Sequence, residues 1–320
     1  MKVLVVTQNE AGQRLNKLLS KYLNLAGTGF IYKMLRKKNI TLNNRKCDGS
    51  EKLKEGDEIR LFLSDETIEK FSQVQVQNVK KKALDIIYED QHILLINKPA
   101  GMLSQKARET DESLVEYMTD YLLKSGSLTR EDLKTFRPSV CNRLDRNTSG
   151  LVVAGKSLPG LQIMSAVLKD RSIHKYYYCV IKGSLAKKQT IEGYLLKDER
   201  TNQVRICETP VTESLPIVTI YEPVSEYDGY TLLKVTLVTG RTHQIRAHLA
   251  SIGCPLVGDV KYGDHHVNEE ARKRFGICHQ MLHSFQVEFP PLPKPLAYLS
   301  GRSFTAPLPR EFGNIWEKWR

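Results

Sequence analysis

Long apolar runs are missing from this 320-residue chain. No stretch approaches the ~20 residues that a helix needs to cross a bilayer, so a helical membrane protein is not expected. The opening residues Met1 to Gln8 carry too short an apolar run for a signal peptide. Cysteine is sparse and scattered: Cys47, Cys141, Cys179, Cys207, Cys254 and Cys278 never form Cys-x-x-Cys. That argues against a zinc ribbon or a disulfide frame and suits a reducing cytoplasm. No clear metal-ligand pair accompanies Cys278, His279 and His283, so no metal site is expected. Internal repeats and low-complexity tracts are absent. Acid is in short supply: 36 Asp+Glu face 48 Lys+Arg, a net charge of +12. A surplus of that size favours a polyanionic partner such as nucleic acid, although membrane-surface proteins share it.

The charge is unevenly spread. Residues 1–65 hold 13 Lys+Arg against 7 Asp+Glu, a net of +6, as large as that of the remaining 255 residues. Between Gly29 and Lys46 stand Lys33, Arg36, Lys37, Lys38, Arg45 and Lys46 without one acid. Leu15, Leu18, Leu19 and Tyr22 recur at i, i+3, i+4, i+7, which predicts a helix. Phe30, Ile31, Met34 and Leu35 mark the inner face of a second helix, with basic residues on its outer side. A strand at Ile40-Thr41-Leu42, an Asn43-Asn44 turn and a period-two strand through Ile59, Leu61 and Leu63 follow. Such a basic face without compensating acids points to phosphate contact rather than to a merely solvated helix.

Residues 66–82 are polar, alternate Gln and Val weakly and end in Lys80-Lys81-Lys82, which predicts a linker. From residue 83 to 320 a second domain is expected. Strands are predicted at 85–88, 93–96, 175–182, 217–221 and 230–238, with helices over Glu112–Lys124 and Leu158–Lys169. Strands outnumber helices and adjoin in hairpin order, so the fold class is α+β around a mixed, mostly antiparallel sheet. One motif is a decoy. Gly150-Leu-Val-Val-Ala-Gly155-Lys156-Ser157 satisfies the phosphate-loop pattern, but the four residues between the glycines are themselves a strand, where that loop needs a turn. Ser157 is then the cap of a helix with Pro159 in its first turn.

Three polar clusters resist explanation by packing. In Asn142-Arg143-Leu144-Asp145-Arg146-Asn147-Thr148-Ser149-Gly150 a carboxylate stands between two arginines, just before an apolar strand. Guanidinium keeps its charge in proteins, so the pattern is an anion in a cationic frame. Lys175-Tyr176-Tyr177-Tyr178 opens a strand, with Tyr177 facing away from its neighbours. Gly240-Arg241-Thr242-His243-Gln244-Ile245-Arg246 is poor core material, and a buried arginine there needs a carboxylate, for which Asp145 is the obvious candidate.

Together these clusters resemble the RluA-type pseudouridine synthases, in the RluC-like branch that carries an N-terminal S4-like RNA-binding domain. The resemblance runs from Arg14 to about Pro309 and adds Asn97-Lys98-Pro99-Ala100-Gly101, Gly183, Gly253-Cys254-Pro255, Gly258-Asp259 and Leu282-His283. The family often has histidine where this chain has Asn142. Residues 1–65 accordingly resemble a small α/β S4-like module, and 83–320 a pseudouridine synthase domain. The resemblance implies isomerisation of uridines in RNA, large-subunit ribosomal RNA above all, by base flipping and without metal or organic cofactor. It makes Asp145 the nucleophile, Arg246 its partner and Tyr177 the stacking aromatic. Arg143, Arg146, Lys175, Arg241, His243, Gln244 and Lys98 become RNA contacts, alongside the six basic residues of the N-terminal stretch. RNA rather than DNA, a monomer and the cytoplasm are expected. A non-catalytic RNA-binding ribosome-assembly factor is the alternative, but it leaves the carboxylate at 145 without a purpose.

Overall fold

The computed structural model describes residues 1–74, 76, 77, 79 and 83–316. An N-terminal lobe comprises β1 (Lys2–Val5), α1 (Leu15–Tyr22), α2 (Thr28–Arg36), β2 (Ile40–Leu42), β3 (Arg45–Lys46), β4 (Glu58–Leu61) and α3 (Asp65–Phe71). Its strands form an antiparallel sheet in the order β1-β4-β2-β3. Leu15, Leu18, Leu19 and Tyr22 of α1 meet Ile31, Met34 and Leu35 of α2 over Ile59 and Leu61 of β4 in one core. Each such side chain contributes about 1.5–3 kcal/mol on burial, which gives so small a lobe its stability.

The larger lobe begins with β5 (Ile86–Glu89), β6 (Ile93–Lys98), α4 (Leu114–Lys124), β7 (Ser139–Val140), β8 (Ser149–Gly155) and α5 (Leu158–Lys169). It continues through β9 (His174–Lys182), β10 (Gln189–Asp198), β11 (Gln203–Cys207), β12 (Leu215–Tyr227) and β13 (Tyr230–Leu237). After α6 (Gln244–Ser251) and α7 (His265–Phe275) it closes with β14 (Leu282–Glu288), β15 (Ser303–Thr305) and α8 (Arg310–Trp316). Eleven strands make one sheet along β11-β10-β12-β13-β9-β14-β8-β6-β5, with β15 joined to β14 and β7 to β8. Among the described residues only β14 and β8 pair as parallel strands, His283 with Ser149 and Ser284 with Gly150; the sheet is thus mixed and mostly antiparallel. At this seam Gly150 has φ +109°, and a Cβ there would stand 2.2 Å from the Ser284 carbonyl oxygen, so no side chain fits. β8 is buried throughout, and the four residues between Gly150 and Gly155 are strand, not a phosphate loop. Ser157 Oγ accepts the Gly160 amide and caps α5.

The expected spacer over 66–82 is replaced by structure in its first part. Ser64 caps α3, and Ile68 and Phe71 join the core of the N-terminal lobe. Val74, Val76 and Val79 then pack on the core of the larger lobe, so the weak Gln-Val alternation was an apolar stripe. Lys80-Lys81-Lys82 lies outside the described residues. The lobes also touch directly: Glu10 accepts from Thr135 Oγ1 at 2.8 Å, and Asn9 Oδ1 accepts the first amide of α5, Leu158 N–H, at 3.2 Å. Among the described residues no helix is long and apolar enough to cross a membrane.

Candidate active site

Asp145 sits on the loop between β7 and β8, and that loop is fixed by polar contacts from three sides. Ser104 Oγ donates to the Leu144 carbonyl at 2.8 Å and accepts the Leu144 amide at 3.0 Å. Asn142 Oδ1 accepts the Val153 amide at 2.8 Å. Lys98, wholly buried, donates from Nζ to the carbonyls of Met102 (2.8 Å), Pro99 (3.0 Å) and Arg146 (3.1 Å). Two expectations are corrected here. Lys98 was expected on RNA, but its ammonium is spent on backbone carbonyls, which need a buried donor. Arg143 and Arg146 were expected to frame Asp145; both are exposed on the cavity it lines, but neither bonds to its carboxylate among the described residues.

The cation beside Asp145 is Arg246, in the first turn of α6. Its Nη1 donates to Asp145 Oδ2 at 2.8 Å, while Nε and Nη2 hold both carboxylate oxygens of Asp259 at 2.7 and 2.9 Å. Burial works against the charge of Arg246, but the hydrogen bonds and charge of Asp259, with those of Asp145, outweigh it and raise the guanidinium pKa. Asp259 is fully buried, and burial alone would raise its pKa. Arg246 and the amides of Lys261 and Tyr262 reverse that, so its pKa falls below the usual range. The turn is tight: Gly258 has φ +78°, and a Cβ there would stand 2.2 Å from the His279 carbonyl oxygen.

His243 caps the start of α6 in the left-handed region, φ 51°. Its Nδ1 meets Tyr262 Oη at 3.0 Å, and Nε2 stands 3.9 Å from Asp145 Oδ1. Burial lowers its pKa in spite of the neighbouring aspartate. Tyr177, on β9, is 5 % exposed, and burial pushes its phenol up to about 12, with the charge of Asp145 acting in the same direction. Asp145 itself keeps 26 % of its side chain exposed, with Oδ1 free of any hydrogen bond among the described residues. It opens on a cavity of about 880 Å³.

The structure brings nine of the expected residues to that cavity: Arg143, Asp145, Arg146, Lys175, Tyr177, Arg241, His243, Gln244 and Arg246. Gln244 is a correction among them. It is 2 % exposed and bonds to Thr239, Thr219 and the Val218 carbonyl, bracing α6 against β12 instead of reaching for RNA. The N-terminal residues Lys33, Arg36, Lys37, Lys38, Arg45 and Lys46 are all exposed and do not line the cavity. Asp259, Ser104 and Tyr262 have positioning contacts that the sequence did not assign. For Asp259 the signal was present, an aspartate directly after a glycine in a motif already singled out. Ser104 offered none.

A sequence profile described as RNA pseudouridylate synthase matches residues 92–251, half of the chain. The ribosomal large subunit pseudouridine synthase C of Pasteurella multocida is 28% identical over 298 residues, covering 90% of this chain and 86% of that one. The enzyme of the same name from Escherichia coli strain K12 is also 28% identical, covering 90% and 88%. Among solved structures, human RNA pseudouridylate synthase domain containing 4 superposes with a TM-score of 0.59 at 19% identity, over 73% of this chain and 92% of that one.

Proposed function

The chain belongs to the RNA pseudouridylate synthase family, and from that premise we propose that it converts uridines of large-subunit ribosomal RNA to pseudouridine with Asp145 as the nucleophile. The reaction breaks the bond between uracil N1 and the sugar C1′, turns the base, and joins C5 to C1′. The proton on C5 leaves and N1 gains one, so nothing else is consumed. The observation that carries the assignment is the carboxylate of Asp145, held by Arg246 through one oxygen and open to an 880 Å³ cavity through the other. A carboxylate so placed can stabilise or covalently trap the sugar once the base departs. Tyr177 stacks on the extruded uracil, returning about 1–3 kcal/mol against an extrusion cost of a few kcal/mol. Its phenol, pushed up to about 12, stays protonated at neutral pH and does not act as a base. Arg143 and Arg146, exposed at the rim, hold the RNA backbone or fill the vacated stack.

The ribosomal substrate is supported by the names of the curated relatives. The basic N-terminal lobe, with its helix pair and small sheet, supports an S4-like module and the RluC-like branch. The enzyme works as a monomer in the cytoplasm on this reading. The test is tritium release from ribosomal RNA labelled at uridine C5: wild type releases label and Asp145→Asn does not. Release that survives in Asp145→Asn sinks the nucleophile assignment. Mapping pseudouridines in ribosomal RNA from cells lacking the protein identifies the positions, and an unchanged map removes the ribosomal substrate.

A further inference from the structure

Lys175 stands two residues before Tyr177 on β9, and the period of two sets both side chains on the same face of the sheet. The lysine is only 8 % exposed. Among the described residues no hydrogen bond or ion pair reaches its ammonium, which nevertheless is not sealed away but ends on the cavity. Room for it comes from Gly240, where a Cβ would stand 3.2 Å from Nζ. Burial, and after it the charge of Arg171, lowers the lysine's pKa, so the charged form is held at a cost. No carboxylate is among the groups that act on it. Lys98 makes the contrast plain: it is more deeply buried still, but three backbone carbonyls satisfy it.

An enclosed ammonium facing a reaction cavity without a partner is built for an anion that arrives from outside. The uracil ring and the ribose of an incoming nucleotide are neutral, and the phosphodiester is the anionic group of an RNA strand. We propose that Lys175 is the ligand of a phosphodiester oxygen flanking the uridine that enters the cavity. The inference rests on the reading of this cavity as the entry for an extruded nucleotide. It makes Lys175 a substrate-positioning residue that stays unpaired until RNA binds.

The experiment compares Lys175→Met and Lys175→Arg with the parent in an Asp145→Asn background, so that binding is measured without turnover. The probe is a ribosomal RNA fragment carrying a uridine that the wild-type chain modifies, with either flanking phosphate replaced by a neutral methylphosphonate. Lys175→Met should weaken binding about ten-fold or more and flatten the plot of log K against log salt by about 0.7. Its loss should vanish for the fragment neutralised at one of the two flanks, while Lys175→Arg keeps most of the affinity. In urea the Met variant should unfold later than the parent, because an unpaired buried charge has been removed. A merely structural lysine predicts the opposite, earlier unfolding with an unchanged salt slope, and that result overturns the proposal. Losses that add independently at both flanks overturn it too. If the fragment binds none of these proteins, the cavity reading itself fails and takes the proposal with it.

Discussion

Arg246 serves two carboxylates with one planar group, and the two are served differently. Asp259 takes the fork of Nε and Nη2 and is fully buried; Asp145 takes the single Nη1 bond and stays a quarter exposed. The fork fixes the plane of the guanidinium, and with it the directions in which the Nη1 N–H groups point. Asp259 thus sets where Asp145 is held without reaching the cavity. Asp259→Ala should cost about 3–5 kcal/mol of stability, since it strands a buried arginine with half its partners; urea denaturation measures it. Arg246→Lys should not restore function, because an ammonium cannot hold both carboxylates in one plane. A second expectation concerns Tyr177. If its ring serves as the stacking platform, Tyr177→Ala should lower kcat/KM by about 10- to 100-fold, the loss of ~1–3 kcal/mol, and Tyr177→Phe far less. With the phenol pushed up to about 12, the rate between pH 6 and 9 should show no step from its ionisation. Equal losses in Ala and Phe would show that the hydroxyl, not the ring, matters.

At the scale of elements, the seam between β8 and β14 is where the sheet is most exposed to a change in pH. His283 on β14 is fully buried, with Nδ1 2.8 Å from Ser149 Oγ on β8 and Nε2 3.5 Å from the Ala306 carbonyl. A carbonyl only accepts, so Nε2 carries the proton and Nδ1 accepts from Ser149, a neutral ring. Burial brings its pKa down to about 4. In the unfolded chain it titrates near 6.5, so between those values the unfolded state binds the extra proton. Stability is therefore complete above about pH 6.5 and falls as the pH drops toward 4, by about 3 kcal/mol from this group. His283→Gln should flatten that slope, and urea midpoints at pH 7.5 and 4.5 measure it; an unchanged slope would rule this histidine out as its source. The same seam shows what a sequence can and cannot disclose. Leu151 to Ala154 was legible as a strand because four apolar residues in a row have no other use beside a turn and a helix cap. The span of β12 was not: Pro216 and Pro223 break its pattern, and only the structure shows a 13-residue strand that absorbs Pro223 at a register shift. In β10, Gly193 and a polar half hid an edge-side strand in the same way. Asp145 and Arg246 could be matched because burying an arginine demands an acid. Asp259 stood in a motif already singled out, but its pairing with Arg246 emerges only in three dimensions, as does the inward turn of Lys98 and Gln244.

At the scale of the whole molecule, positive charge gathers in two places. In the larger lobe, Arg143, Arg146, Lys175 and Arg241 line the cavity around Asp145. In the smaller lobe, Lys33, Arg36, Lys37, Lys38, Arg45 and Lys46 are exposed along a stretch of chain without acids. Contacts such as Glu10 to Thr135 and Asn9 to the start of α5 join the lobes, so if the first grips RNA it constrains which segment reaches the second. If the small lobe covers about six phosphates, log K for ribosomal RNA should fall against log salt with a slope of about −4 to −5 from this lobe. Replacing Lys33, Arg36, Lys37 and Lys38 together by Gln should weaken binding and reduce the slope by ~3, at about 0.7 per lost phosphate. All four side chains are exposed, so stability should move by no more than about 0.5 kcal/mol. Affinity measured from 50 to 300 mM salt separates the alternatives. A parallel line displaced downward would mean that the four residues act through something other than phosphates, and an unshifted line would confine RNA binding to the larger lobe.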